Sequence, residues 1–261
     1  MSTTPTRTLD TQELEQRVKH MYQEVALEPE REFHFETGRA LAERLGYPAS
    51  DLDRIPAAAI DSFAGVGHFL DLADIAPGDT VLDLGSGSGM DSFLASLAAG
   101  PDGRVIGVDM TDEQLAKATR LADEAGIENA EFRSGYIEEP PVEPDSVDCV
   151  ISNGVINLSP DKAAVFAAVA KVLRPGGRLA LADIVSTEQL PEGVTCDASL
   201  WAACIGGAMQ RDRYREAVEG AGLQIVEWRE NPEYRFVSER ADNAVRKYGV
   251  TSVSLLARRP E

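Results

Sequence analysis

Two short apolar segments, each ending in residues suited to contact a ligand, constrain most strongly what this chain can fold into and bind. Val81–Gly89 is predicted to be a buried strand that runs into a turn with glycine at alternate positions, and Val105–Asp109 is predicted to be a buried strand that ends on a carboxylate. Glycine lets a backbone turn sharply and approach a ligand, because it has no Cβ. An acid at the tip of the neighbouring strand can accept hydrogen bonds from both hydroxyls of a ribose. The pair therefore predicts a nucleoside site.

The spacing of the turn distinguishes two kinds of nucleoside. Dinucleotide sites follow G-x-G-x-x-G, in which backbone amides and a helix N-terminus face a pyrophosphate. Here Met90 stands where that pattern has its last glycine, and Asp91 follows it, where its charge would repel a pyrophosphate. Asp83, just before the turn, adds a second negative charge. A nucleoside with a cationic amino-acid end suits this setting better, and S-adenosylmethionine is such a ligand.

Strands and helices are predicted to alternate from Asp79 onward. The predicted strands are Thr80–Leu84, Arg104–Asp109, Ala130–Arg133, Val147–Ser152, Arg178–Asp183, Leu223–Arg229 and Thr251–Ala257. The predicted helices are Asp91–Ala99, Asp112–Ala125, Asp161–Val172 and Asp212–Ala221. This alternation predicts a doubly wound, mostly parallel seven-stranded α/β sheet, with ligands at the carboxyl ends of its strands.

The N-terminal part of the chain is predicted to be helical. Residues 1–10 are polar and are expected to form a disordered tail. Residues 11–73 are expected to form an α-helical cap over the ligand, with helices at about Thr11–Leu27, Glu36–Leu45 and Pro56–Ala64, because apolar residues recur there at helical spacing. Residues 74–261 would then form the nucleoside-binding domain, with 188–210 as a lid or substrate segment.

Composition limits the partners and the compartment. The chain of 261 residues has a net charge of −19, which argues against binding to nucleic acid or to an anionic membrane surface. Its three cysteines are too few and too scattered for a disulfide framework. Neither a signal peptide nor a membrane-spanning apolar run is evident in the sequence. We therefore expect a cytoplasmic protein, monomeric or homodimeric, that acts on a small-molecule acceptor.

A set of longer motifs identifies a family. The segments are VLDLGSGSGMD, VIGVDMT, SVDCVISN, VINLSPDK, LRPGGRLALADIV and CIGGA. Together they resemble the class I S-adenosylmethionine-dependent methyltransferases, and within them the arsenite methyltransferase group and its quinone-methylating relatives. The resemblance covers about residues 40–222 and implies a Rossmann-like methyltransferase fold that uses S-adenosylmethionine.

The resemblance also implies roles for single residues. The turn 85–87 would pass under the methionine part of the cofactor, Asp109 would bind the ribose and Met110 would pack on the adenine. Tyr136 stands where the relatives usually carry a carboxylate, while Ile137 can still pack on the base. The predicted cofactor-binding residues are Asp83, Gly85, Ser86, Gly87, Gly89, Asp109, Met110, Tyr136, Ile137 and Asn153.

The cysteines of the chain bear on the identity of the acceptor. By the resemblance, arsenite methyltransferases hold trivalent arsenic through thiolates from three separate segments. This chain has Cys204 in the last of them, Gly154 in the second, and no cysteine before Cys149. Soft ions need two or three thiolates for tight binding. An organic O, N, S or C nucleophile is therefore the main hypothesis for the methyl acceptor, and arsenite is the alternative. Cys196 is the other thiol that could approach Cys204.

Some organic acceptors would need a general base. A phenol, amine or enol would use one, and His34 and His68 are the candidates, because imidazole titrates near neutral pH. A structural, hydrogen-bonded histidine is the other interpretation of His34. The acceptor pocket is predicted to be bounded by Tyr22, His34, His68, Asn157 and Cys204. Two further functions stay open, namely a nicotinamide oxidoreductase, which Met90 disfavours, and a non-catalytic protein that keeps only the cofactor site.

Overall fold

Eight strands form one sheet within residues 9–197, 201, 205–237 and 239–261, which the computed structural model describes. The strands are β1 Thr80–Leu84, β2 Arg104–Asp109, β3 Ala130–Ser134, β4 Val147–Asn153, β5 Leu173–Ser186, β6 Met209–Gln210, β7 Gln224–Glu230 and β8 Thr251–Arg258. Buried parallel strands are apolar along most of their length, as β1 and β4 are, because helices cover both faces of such a sheet.

The strand order is β3-β2-β1-β4-β5-β8-β7, with β6 paired to the end of β5. The strands are parallel except that β8 runs antiparallel to both β5 and β7. The order reverses between β1 and β4, and in open α/β sheets ligands bind at such a reversal, beyond the carboxyl ends of the strands. The predicted α/β fold class is confirmed, with the two-residue β6 as an addition.

The helices of the described residues precede, connect and flank these strands. They are α1 Thr11–Leu27, α2 Arg39–Leu45, α3 Ala49–Leu52, α4 Ala57–Asp61, α5 Leu70–Ala73, α6 Met90–Ala99, α7 Asp112–Ala125, α8 Lys162–Val172, α9 Glu192–Thr195, α10 Arg211–Gly220 and α11 Glu239–Tyr248. A short 3-10 helix, Ile156–Leu158, follows β4. None of the described helices combines the length and the apolar character that crossing a membrane requires.

Apolar side chains alternate between the two faces of the sheet, because successive side chains of a strand point to opposite sides. Val81 and Val105 belong to one buried cluster, which also includes residues of α1 and α5. Leu82 and Ile106 belong to a second cluster, which includes residues of α8 and α10. The core therefore lies on both faces of the sheet and keeps the carboxyl ends of β1, β2 and β4 in fixed positions.

The helices α2 and α4, which precede β1, pack on the sheet domain through a third apolar cluster. Helix α1 begins at the N-cap Asp10, whose carboxylate accepts hydrogen bonds from the backbone of Gln12 and Glu13 at 3.1 and 3.0 Å. Residues of α2 and α4 pack with Phe93 of α6 and Leu121 of α7. The domain boundaries stay a prediction. The expected tail 1–10 lies outside the described residues up to position 8, as do positions 198–200 and 202–204 of the segment 188–210.

Candidate cofactor and acceptor site

The glycine turn between β1 and α6 has a backbone that few other residues could adopt. Gly85, Gly87 and Gly89 have φ angles of 74°, 53° and 92°, in the left-handed region that favours glycine. A Cβ on Gly85 would lie 2.3 Å from Val155 Cγ2, so close packing also requires glycine there. A Cβ on Gly87 would have nothing nearer than Gln114 at 3.8 Å, so only its backbone angle requires glycine.

Asp109 ends β2 beside this turn. Its Oδ2 accepts a hydrogen bond from the backbone N–H of Gly87 at 3.0 Å, and its Oδ1 accepts one from Thr111 N–H at 2.8 Å. Burial raises the pKa of Asp109, and the two backbone N–H groups act in the opposite direction. The carboxylate is thus fixed in orientation and forms part of a cavity wall.

Two more carboxylates lie at the end of β1 and the start of α6. Asp83 accepts a hydrogen bond from Ser92 Oγ at 2.6 Å, and burial together with the nearby charge of Asp91 raises its pKa to about 8. Burial raises the pKa of Asp91 to about 6, although Tyr47 and Asn153 donate to its carboxylate. Both carboxyl groups line the cavity, and the described wall holds no cationic side chain beside them. Buried carboxyl groups without a cationic partner resist ionisation, so a cationic ligand would favour their charged form.

Asn153, the last residue of β4, joins the cap to these acids. Its Nδ2 lies 3.0 Å from Asp91 Oδ2, 3.0 Å from Tyr47 Oη and 3.1 Å from the carbonyl of Gly67. Its Oδ1 accepts from the backbone N–H of Val66 at 2.8 Å. Tyr47 in turn donates to Asp91 Oδ1 at 2.6 Å. The side chain of Asn153 thus orients Asp91 and fixes the cap segment beside it.

These groups surround one cavity of about 320 Å³, within the range of small-molecule sites. The wall, as far as the chain is described, has carboxylates but no lysine, arginine, histidine or cysteine. The acidic residues of the wall are Glu15, Asp83, Asp91, Asp109 and Glu138. A cation is therefore favoured in the cavity, and an anion is disfavoured.

Helix α1 roofs the cavity. Leu14, Val18 and Tyr22 line it from above, and Tyr136 lines it from the loop after β3. Tyr136 Oη donates to Glu15 at 2.7 Å, which attaches this loop to α1. The roof supplies an apolar surface for a ring.

The residues present fit S-adenosylmethionine, which carries a ribose, a sulfonium, an ammonium and a carboxylate, and so has a net positive charge. Ser86 Oγ is buried in the cavity wall without a hydrogen-bond partner, so it has capacity for a polar ligand atom. Gly85 and Gly87 leave the turn without side chains, and Asp109 is held at the strand tip. The acidic wall would accept the two cationic groups.

The cavity brings together most of the predicted cofactor residues. The wall includes Asp83, Gly85, Ser86, Gly87, Asp109, Met110, Tyr136, Ile137 and Asn153, together with Tyr22 from the predicted acceptor pocket. Gly89 lies behind the wall, where a Cβ would approach Phe132 to 2.9 Å. Their individual roles toward a bound cofactor stay predictions.

Two of the remaining predicted site residues, His34 and His68, do not line this cavity, and their role as a base stays a prediction. The ring of His68 packs against Tyr47 at 4.6 Å, its Nδ1 is 3.6 Å from Asp71, and burial lowers its pKa. The ring of His34 packs edge-on against Phe35 at 4.9 Å. Neither histidine lines the cavity.

Asn157 and Cys204 complete the predicted boundary. Asn157 is fully buried and donates through Nδ2 to Asp183 at 2.9 Å and to the carbonyl of Gly154 at 3.1 Å. It therefore holds the turn after β4 and does not line the cavity. Cys204 lies outside the described residues.

Sequence reasoning missed several residues of the wall. Glu15 and Gln114 were not identified as site residues, because each reaches the cavity only through the packing of α1 on α7. Asp91 was noted only for its effect on a pyrophosphate, although its place at the start of α6 was a usable signal. Tyr47, the hydrogen-bond partner of Asp91, lies 44 residues earlier and carried no local signal.

Comparison with known proteins agrees with this geometry. Residues 75–222 match the family described as Methyltransferase domain. An arsenite methyltransferase of Halobacterium salinarum is 43% identical over 227 residues, which cover 86% of this chain and 58% of that protein. The chain thus spans less than two thirds of the length of this relative.

Solved structures show the same fold. The crystal structure of CrArsM, an arsenic(III) S-adenosylmethionine methyltransferase from Chlamydomonas reinhardtii, has a TM-score of 0.64 and 31% identity, covering 86% of this chain and 74% of that one. A geranyl diphosphate C-methyltransferase from Streptomyces coelicolor has a TM-score of 0.69 at 19% identity, covering 97% and 100%. This chain therefore belongs to the family of S-adenosylmethionine-dependent methyltransferases.

Proposed function

We propose that the protein transfers the methyl group of S-adenosylmethionine to a small-molecule acceptor. The observation that carries the proposal is the acidic cavity at the reversal of the strand order, beneath α1 and beyond the glycine turn. Such a wall suits a ligand with two cationic groups and repels a pyrophosphate. The family shown by the comparisons supports the same reaction.

Each part of the wall has a proposed role toward the cofactor. Asp109 would accept hydrogen bonds from the ribose hydroxyls, each worth about 1.5–3 kcal/mol as a charge-assisted bond. Asp83 and Asp91 would face the ammonium group, and Ser86 Oγ would contact a polar atom of the methionine part. Bound in this way, the cofactor supplies a methyl group already activated by the sulfonium. The chain itself positions the two reactants and excludes water.

We propose an organic nucleophile as the acceptor. An anionic acceptor would meet the carboxylates of the wall, so an uncharged or cationic molecule is expected. A soft nucleophile needs no base. The proposal that His34 or His68 acts as a base for other acceptors would require a rearrangement that brings an imidazole to the cavity.

Arsenite is the second candidate, supported by the 43% identity to the Halobacterium salinarum enzyme. The described cavity wall holds no thiol, and Gly154 occupies the second thiol position expected from the resemblance. Cys149 lies in β4, where burial raises the pKa of its thiol to about 12, so it would remain protonated. An arsenic site would therefore have to use Cys196 and Cys204.

A methylation assay with S-adenosylmethionine labelled on its methyl group tests both candidates. The purified full chain is incubated with arsenite and a thiol reductant, and separately with neutral or cationic phenols, quinols, amines and thiols. The proposal expects label in an organic acceptor and little in arsenite. Efficient labelling of arsenite that is lost in both Cys196→Ser and Cys204→Ser, but retained in the matched control Cys149→Ser, would establish the second candidate instead. Cofactor binding without turnover across an exhaustive acceptor panel would favour a non-catalytic protein.

A further inference from the structure

The side chain of Gln114 lies between the glycine turn and helix α1, and it lines the cavity. It belongs to the first turns of α7 and is only 1% exposed. A buried amide costs free energy unless its oxygen and its nitrogen both find hydrogen-bond partners. The partners of Gln114 are therefore important for this side of the cavity.

Each end of the Gln114 amide bonds to a different element. Its Oε1 accepts a hydrogen bond from Ser88 Oγ at 2.5 Å, and Ser88 belongs to the glycine turn. Its Nε2 donates to the backbone carbonyl of Tyr22 at 2.9 Å, in α1. One planar amide thus connects the turn below the cavity with the helix above it.

Other hydrogen bonds hold α1 on α7 without involving the glycine turn. Gln23 Nε2 donates to Glu113 at 2.7 Å. Lys117 Nζ donates to the carbonyl of Ala26 at 3.0 Å. These bonds attach the roof but have no direct connection to the turn. They provide a control within the same helix pair.

We infer that Gln114 is a positioning residue that couples the conformation of the glycine turn to the closure of α1 over the cavity. The inference rests on the proposed function, because S-adenosylmethionine or its demethylated product is the ligand that would set the turn. A ligand on the turn keeps Ser88 in place, Ser88 orients the amide, and the amide holds the carbonyl of Tyr22. Helix α1 then stays closed while the ligand is bound, which keeps water away from the reacting methyl group.

Hydrogen–deuterium exchange of the full chain, with and without S-adenosylhomocysteine, tests this coupling. Gln114→Leu and Ser88→Ala each break the bridge at one end, and Gln23→Leu breaks only the outer bond. In the wild type and in Gln23→Leu, the ligand should slow exchange in both the turn and α1. In the two bridge variants the ligand should still slow exchange in the turn, while the factor by which it slows exchange in α1 should fall at least about tenfold. Dissociation of the ligand should be about tenfold faster in both bridge variants.

The ratio of exchange rates with and without ligand separates coupling from a purely structural role. A structural role would speed exchange in α1 equally in both states, and an unchanged ratio in the bridge variants would therefore overturn the inference. The inference would also be overturned if the ratio of exchange rates in α1 changed as much in Gln23→Leu as in Gln114→Leu. Ser88→Ala leaves the Gln114 side chain in place, so it tests the coupling even if Gln114→Leu fails to fold. If the ligand slows exchange nowhere in the wild type, the proposed function fails and the inference with it.

Discussion

The backbone N–H of Gly87 donates a hydrogen bond to Oδ2 of Asp109 at 3.0 Å, which joins the glycine turn directly to the tip of β2. Thr111 N–H donates to the other oxygen of the same carboxylate. Each oxygen of an ionised carboxylate can accept a second hydrogen bond, so both remain able to accept a ribose hydroxyl. The turn and the acid therefore form one preorganised surface for a nucleoside.

Replacing Asp109 with alanine is expected to weaken the binding of both S-adenosylmethionine and S-adenosylhomocysteine markedly. Loss of charge-assisted bonds worth about 1.5–3 kcal/mol each corresponds to at least about a tenfold rise in Kd. Calorimetric titration measures the change. Asp112→Asn, at an exposed carboxylate in the first turn of α7, is the matched control and should leave both Kd values unchanged. Equal affinity in Asp109→Ala and the wild type would remove Asp109 from the site.

Affinity for S-adenosylmethionine is expected to rise between about pH 5 and 7, below the range in which an α-amino group loses its own proton. Burial raises the pKa of Asp91 to about 6 and that of Asp83 to about 8, so the empty site retains protons in this range. A cationic ligand favours the ionised carboxylates, and its binding therefore releases protons. Each released proton increases the affinity by at most about tenfold per pH unit.

5′-Methylthioadenosine, which lacks the amino-acid end, is the control ligand for this pH dependence. It keeps the ribose and the base but brings neither the ammonium nor the sulfonium, so its affinity should change far less with pH. Asp91→Asn should flatten the curve for S-adenosylmethionine at the acidic end. Parallel pH curves for the two ligands in calorimetric titrations would mean that Asp83 and Asp91 do not face the ammonium.

Gly154→Ala is expected to destabilise the protein by more than Gly126→Ala. Both glycines have positive φ, at 71° and 66°, which costs a Cβ-bearing residue about 1–2 kcal/mol. At Gly154 the added Cβ would also lie 3.1 Å from Val66 Cγ1, whereas at Gly126 it would meet nothing within 4 Å. Denaturant unfolding measures the difference. Equal losses of unfolding free energy in the two variants would show that the Val66 side chain moves aside without a free-energy cost. A thiol could then be introduced at position 154 at the cost of backbone strain alone.

Gly207→Ala is expected to disrupt the packing of the segment after residue 204 on the turn after β4. An added Cβ would lie 1.8 Å from the carbonyl oxygen of Asn157 and 2.8 Å from the Trp201 ring, so backbone would have to move. We expect a loss of at least about 3 kcal/mol in thermal unfolding. Gly193→Ala, where a Cβ meets nothing within 4 Å, should change stability by no more than about 1 kcal/mol. Similar melting curves for the two variants would contradict this packing.

Local signals were enough to predict the sheet and to place the glycine turn beside Asp109. The bounds of α1 and α7 coincide with the prediction, and β1 and β2 are predicted to the residue, because apolar periodicity and turn residues encode them locally. The acceptor side depends on contacts between distant parts of the chain. His68 is turned toward Tyr47 and Asp71, and Asn157 toward Asp183, by packing that no spacing in the sequence encodes.

The predicted cap illustrates the same limit. A single helix was predicted between about residues 56 and 64, whereas α4 ends at Asp61 and the chain continues into Phe63 and Gly65, which line the cavity. Helix α2 begins at Arg39, three residues later than predicted, because Gly38 before it has a φ of 85°, outside the helical region. These boundaries depend on how the cap meets the sheet, which is a tertiary effect.

Native mass spectrometry of the purified full chain, mixed with equal amounts of S-adenosylmethionine and NADH, tests the central claim most directly. We predict a single adduct with the mass of S-adenosylmethionine, bound one to one and lost on Asp109→Ala, with no NADH adduct, because the acidic cavity wall favours a cation and repels a pyrophosphate. An NADH adduct in the absence of any S-adenosylmethionine adduct would contradict the claim that this cavity binds S-adenosylmethionine.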